Sequence, residues 1–92
     1  MADCSAVIAT PNGLGYLKKL CIHFAQKVEA NWQDHSGYVQ FAMGRCELRA
    51  TDGQLAVSCR ADNDQDLQLV ADTVKSHFDR FAVRDELVLN WL

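Results

Sequence analysis

The chain has 92 residues, 49% of them hydrophobic and 23% charged, and carries a net charge of −3. Residues 1–92 therefore read as one small globular domain. The acidic balance argues against nonspecific nucleic-acid binding, which runs on counterion release by clustered Lys and Arg.

No apolar run approaches the roughly 20 residues that cross a bilayer, so no membrane span is expected. The start, MADCSAVIATPNG, lacks the basic and long apolar stretches of a secretion signal. A cytoplasmic setting is the resulting expectation, and thiols stay reduced there. Cys4, Cys21, Cys46 and Cys59 show no CxxC spacing and are expected to be free and mostly buried.

In chain order, SAVIAT before Pro11 reads as a strand. Thr10 then offers an N-cap and Pro11 a first helical position. Leu14, Leu17, Leu20, Cys21, Phe24 and Val28 recur at three- and four-residue spacing, which predicts a helix from Pro11 to Val28. Four strand-like segments follow: EANWQD, YVQFAM, CELRA and QLAVSCRA. Asp52-Gly53 between the last two is a hairpin signal.

Short connections make consecutive strands antiparallel neighbours. The inward set is Val39, Phe41, Met43, Cys46, Leu48, Ala50, Leu55, Val57 and Cys59. Residues 61–84 form a second helix, capped through Asp62 with Gln65 or through Asn63 with Asp66. Its acidic residues lie early and its basic residues late, as the helix dipole favours. ELVLNW reads as a last strand.

The predicted order is β-α-β-β-β-β-α-β. Two apolar helix stripes must be buried, and one face of an antiparallel sheet can take both. The expected fold is a two-layer α+β sandwich.

Chemistry-bearing residues are few. Cys21 and His23 stand two apart in YLKKLCIHFAQKV, and such residues point about 200° apart on a helix. They cannot easily share an ion, so no metal site is read here. Cys21 belongs to the core stripe. His23 falls in a row with Tyr16, Lys19 and Lys27, a mildly basic flank. His77 lies at the margin of the second stripe, with Arg80 nearby.

If the helices pack side by side, Tyr16, Lys19, His23, His77 and Arg80 form a candidate ligand-binding groove suited to an anionic ligand. The outer sheet face, with Tyr38, Arg49 and Arg60, is the alternative. NGLG lacks a full phosphate-loop pattern, and no GxSxG or HExxH occurs. Asp34-His35 beside a glycine reads as a turn. No catalytic residue and no cofactor is assigned.

The segments YLKKLCIHFAQKV, GRCEL, SHFDRF and RDELVLNW together resemble a bacterial family of small uncharacterised proteins, domain-of-unknown-function family 2218. The likeness covers nearly the whole chain. Its most specific parts are Tyr16-Leu17, Leu20-Cys21, His23-Phe24, Gly44 with Cys46, and Ser76-His77 with Arg80-Phe81. The NGLG opening of the first helix departs from the pattern.

The resemblance implies a fold like the TATA-binding-protein group, a curved antiparallel sheet with both helices on one side. It implies no DNA binding, because fold is not function. It also implies a setting beside flavin-dependent siderophore-interacting reductases, and so a link to iron acquisition.

Three readings follow. The first is a non-enzymatic binding or accessory module, with an anionic ligand or such a reductase as partner. The second is a small enzyme or redox protein using His23, His77 or a cysteine. The third is a homodimeric interaction module.

Overall fold

Alternation within the strand segments decides the sheet, because every second side chain must leave water together. In the computed structural model, which describes residues 1–92, five strands form one antiparallel sheet: β1 (Ala2–Ala9), β2 (Glu29–Gln33), β3 (Ser36–Gln40), β4 (Arg45–Thr51) and β5 (Gln54–Ala61). Their spatial order is β1-β5-β4-β3-β2. The meander follows chain order, and β1 closes the far side on β5.

Two helices, α1 (Gly13–Phe24) and α2 (Asp64–Phe81), cover the apolar face. The first packs over β2, β3 and β4, the second over β5 and β1, and the two touch each other. This is the α+β sandwich expected from the pattern.

The inner face carries Ala6, Ile8, Val39, Phe41, Cys46, Leu48, Ala50, Leu55, Val57 and Cys59, all buried. Leu17, Leu20, Cys21 and Phe24 come down from α1, and Val70, Val74 and Phe78 from α2. Fully burying one such aliphatic or aromatic side chain contributes about 1.5–3 kcal/mol. Met43 differs from its predicted inward place. It lies in the β3–β4 connection and is only half-buried, because β3 ends at Gln40.

The helix ends also differ from the pattern. Helix α1 begins two residues after Pro11, at Gly13, with Asn12 as an N-cap that makes no side-chain bond. The Thr10 hydroxyl does accept a hydrogen bond from the Asn12 amide, at 3.1 Å. It satisfies a turn just before the helix rather than the helix itself. Helix α2 starts as one alternative predicted: Asn63 is the N-cap and accepts the Asp66 amide at 2.8 Å. Asp64 and Asp66 occupy the first turn and Arg80 the last.

ELVLNW does not join the sheet as a strand. After a short 3-10 turn (Val83–Asp85) the tail docks by other bonds. The Leu89 amide donates to Asp79 at 2.9 Å, and the Leu89 carbonyl accepts from Lys75 at 2.7 Å. The Leu92 amide reaches the Ser5 carbonyl of β1 at 2.8 Å. Leu89 is fully buried. Alternating apolar residues made this tail look like a strand, but side chains of α2 satisfy its backbone and replace a ladder.

Candidate functional site

The helix-pair groove is half realised. The His23 and His77 rings meet, with centroids 4.7 Å apart. Phe81 lies edge-on to His23 at 5.5 Å, and the Lys19 ammonium sits 5.6 Å above the Phe81 ring. His77 Nδ1 is 2.7 Å from the Thr73 carbonyl oxygen. A carbonyl only accepts, so Nδ1 carries the proton there and Nε2 is left for an outside partner. Arg80 is exposed and forms no ion pair. Lys19, His23, His77 and Phe81 share one ridge between the helices, and Arg80 stands one helical turn beyond His77.

Tyr16 does not belong with them. The helical row that aligned it with Lys19 and His23 suggested exposure, yet it is 4% exposed. Its ring packs on Phe78 at 5.3 Å, and its hydroxyl donates to the Asp85 carboxylate. Burial, and then the Asp85 bond, push its phenol up to about 12. The physical reason is the C-terminal turn. It folds back over the first turns of α1 and covers a position that α1 alone would leave wet.

A concavity lies on the other side, on the open sheet face. Register aligns two outer rows across all five strands. One runs Asn31, Tyr38, Glu47, Ser58 and Ser5; the next runs Gln33, Ser36, Arg49, Ala56 and Val7. Tyr38 on β3 and Glu47 and Arg49 on β4 are large, whereas Ser58 and Ala56 on β5 and Ser5 and Val7 on β1 are smaller. The small ones form a low floor beside a tall rim, and the result is a groove of about 710 Å³.

The rim is ordered by charge. The Arg45 guanidinium lies 4.4 Å from the centre of the Tyr38 ring, a cation–π arrangement. The Tyr38 hydroxyl donates to Glu29 at 2.8 Å, and that bond holds its phenol above the ordinary value. Arg45 and Arg60 both pair with Glu47, at 3.6 and 3.3 Å. Arg49 is exposed and has no ion pair. It lines the groove and also a second, polar depression beside the β2–β3 turn, with Gln33, Asp34, His35 and Ser36.

Of the predicted sheet residues, Tyr38 and Arg49 line the groove. Arg60 sits one row away, in a smaller hollow with Gln40 and Arg45. Sequence reasoning missed Arg45 and Asn31, although outward alternation on β4 and β2 could have found both. No group of three or more His, Cys, Asp or Glu side chains is placed to hold a metal ion. No helix is long and apolar enough to cross a membrane.

The sequence matches the model of a family described as "Uncharacterized protein conserved in bacteria (DUF2218)" over residues 5–92. Among solved structures, the fold is similar to the NMR structure of PA4090 from Pseudomonas aeruginosa. The TM-score is 0.82 and the identity 23%, over 100% of this chain and 96% of that one. No curated protein matches.

Proposed function

This chain belongs to the DUF2218 family, and on that footing we propose that it is a non-enzymatic binding module whose ligand is a small anion held on the open sheet face. The observation that carries the reading is Arg49: an exposed guanidinium without a partner, at the wall of a groove of about 710 Å³. That volume lies in the range of small-molecule sites, about 300–1,000 Å³. Arg presents a planar fork that suits carboxylates, phosphates and other oxyanions. Asn31, Gln33, Ser36 and Ser58 supply neutral hydrogen-bonding groups along the same groove. Glu47 is already compensated by two arginines, so it adds little repulsion.

A ferric chelate is an anion of suitable size, and iron or siderophore handling is the setting in which we place the module. A siderophore-interacting flavin reductase is the proposed protein partner. The second reading puts that partner on the His23–His77 ridge, where Lys19 and Arg80 suit an acidic surface; the 4.7 Å ring contact favours it.

Amide NMR titration tests where a small anion binds. The probes are citrate, inorganic phosphate and a gallium(III) catecholate as a diamagnetic stand-in for the ferric form. Shifts at Asn31, Ser36, Arg49 and Ser58 are expected, and Arg49→Ala is expected to weaken binding about tenfold or more. Shifts confined to His23, His77 and Arg80 would move the site to the ridge. Silence with all three probes would overturn the small-anion reading.

A further inference from the structure

A bare phosphate or citrate would use only part of the sheet-face groove. Outer rows of side chains cross the open face, and Tyr38 is the one aromatic residue on them. It is fixed at two points. Its hydroxyl donates to Glu29 at 2.8 Å, and the Arg45 guanidinium lies 4.4 Å from its ring centre. Arg45 is held in turn by Glu47 at 3.6 Å and donates to the Gln40 side chain at 3.2 Å. Tyr38 and Arg45 both line the groove, so two flat groups already tied in place form part of its wall.

The floor beside them is apolar. Ala56 and Val7 continue the Arg49 row onto β5 and β1. Val7 is 51% exposed, an aliphatic side chain left wet on the open face. Small-molecule sites have this composition: apolar surface, with a few polar groups that fix orientation. Register also sets the spacing. Tyr38 stands directly opposite Glu47, and Arg49 follows two residues later on β4. Tyr38 and Arg49 are therefore diagonal neighbours, about 7–8 Å apart at the backbone and within reach of each other through long side chains. An occupant that touches both needs a flat apolar part and an oxyanion separated by only a few bonds.

We infer that the ligand of this groove is a small aromatic carboxylate, its ring against the Tyr38–Arg45 pair and its carboxylate on Arg49. This narrows the small-anion reading of the same groove and depends on it. The Arg49 fork takes both carboxylate oxygens. The ring meets groups that stack with aromatics in offset or cation–π arrangements, and because Tyr38 and Arg45 are already tied, little side-chain entropy is lost there on binding.

Charge along the strand fits the same occupant. Glu47 lies between Arg45 and Arg49 on β4 and is met by Arg45 and Arg60 at 3.6 and 3.3 Å. An uncharged ring can pass this compensated carboxylate, while the ligand's own charge is carried on to Arg49, which has no ion pair. A saturated ring of similar size would gain the contact with Ala56 and Val7 but not the stacking, so the Tyr38–Arg45 wall is what distinguishes an aromatic acid from an aliphatic one.

The test is amide NMR titration of the full chain with phenylacetate, cyclohexylacetate and phenylacetamide. The two acids share a carboxylate and differ in the ring; phenylacetate and the amide share a ring and differ in charge. Phenylacetate is expected to shift Tyr38, Arg49 and Ser58, and to bind at least about threefold more tightly than cyclohexylacetate, although the saturated acid is the more hydrophobic. Phenylacetamide should bind about tenfold more weakly or worse. Arg45→Lys keeps a positive charge beside Glu47 but removes the plane, and should bring the two acids to similar affinity. Arg49→Ala should weaken both acids alike. Equal affinity of the two acids for the wild type, or an unchanged ratio in Arg45→Lys, would overturn the aromatic assignment; shifts from citrate and phosphate at Arg49 would still stand, and the small-anion reading with them. Silence from both acids, citrate and phosphate would overturn both.

Discussion

Gly44→Ala is expected to destabilise the domain, and Gly15→Ala is not, although the substitution is the same. A Cβ on Gly44 would clash with the Arg60 carbonyl oxygen, sit 2.8 Å from Val70 Cγ2 and approach Ala61 Cβ at 3.2 Å. The Arg60 carbonyl belongs to β5, so it cannot retreat without pulling on its neighbours in the sheet. Overpacking of this kind costs about 1–3 kcal/mol. The lost flexibility of the unfolded chain offsets about 0.4–1 kcal/mol. The central difference, a net loss of about 1.3 kcal/mol, lowers the melting temperature of a domain this size by roughly 5–10 °C.

Gly15 stands in the first turn of α1, and the nearest atoms to its Cβ belong to the exposed Asn12 amide, with Cγ at 3.0 Å. That side chain can swing away, and Ala is favoured over Gly in a helix by up to about 1 kcal/mol. Urea unfolding followed by circular dichroism at matched slopes measures both variants. If Gly44→Ala is as stable as the wild type, the close approach of the β3–β4 turn to β5 and α2 is wrong. If Gly15→Ala loses as much as Gly44→Ala, steric contact is not what separates the two sites.

Tyr16 should resist ionisation. Spectrophotometric titration is expected to show Tyr38 deprotonating first and Tyr16 only near 12. Because the folded value lies above the ordinary one, the Tyr16 contribution is complete below about 10 and is lost as pH rises through about 12. Cys4 and Cys21, each pushed up to about 11, weaken the fold over a neighbouring alkaline range. The informative quantity is therefore a shallower alkaline fall in Tyr16→Phe, and an unchanged slope would refute the raised Tyr16 phenol, whose main cause is burial. Asp79→Ala should release the tail, because Asp79 accepts both the Leu89 amide and the Lys75 ammonium. Hydrogen exchange at the Leu89 amide is expected to accelerate at least about tenfold while amides in β4 and β5 keep their protection; equal protection in the variant would refute the clamp.

Much of this molecule was legible from local pattern alone. Period-two alternation marked β3, β4 and β5, the Asp52-Gly53 turn joined the last two, and Asn63 was already one of two caps proposed for α2. These features depend on neighbours in sequence, so the chain carries them on its face. The inward set followed from the same alternation because strand side chains must share one dry side. It failed at Met43, where the strand had ended.

What depended on distant residues could not be read in this way. Tyr16 looked exposed because nothing near it in sequence shows that Asp85 and Phe78 will cover it. ELVLNW looked like a strand because its backbone partners, Asp79 and Lys75, lie on a helix. The contact between His23 and His77 required α1 and α2 to settle side by side, and the groove at Arg49 required large and small residues from five strands to line up. Cys46 and Cys59 were visible as inward residues, whereas Cys4 lay just ahead of the predicted SAVIAT strand, and only strand register put the three in one row. Local sequence determines which way a side chain turns within its own element. The packing of elements separated by tens of residues decides what it meets there.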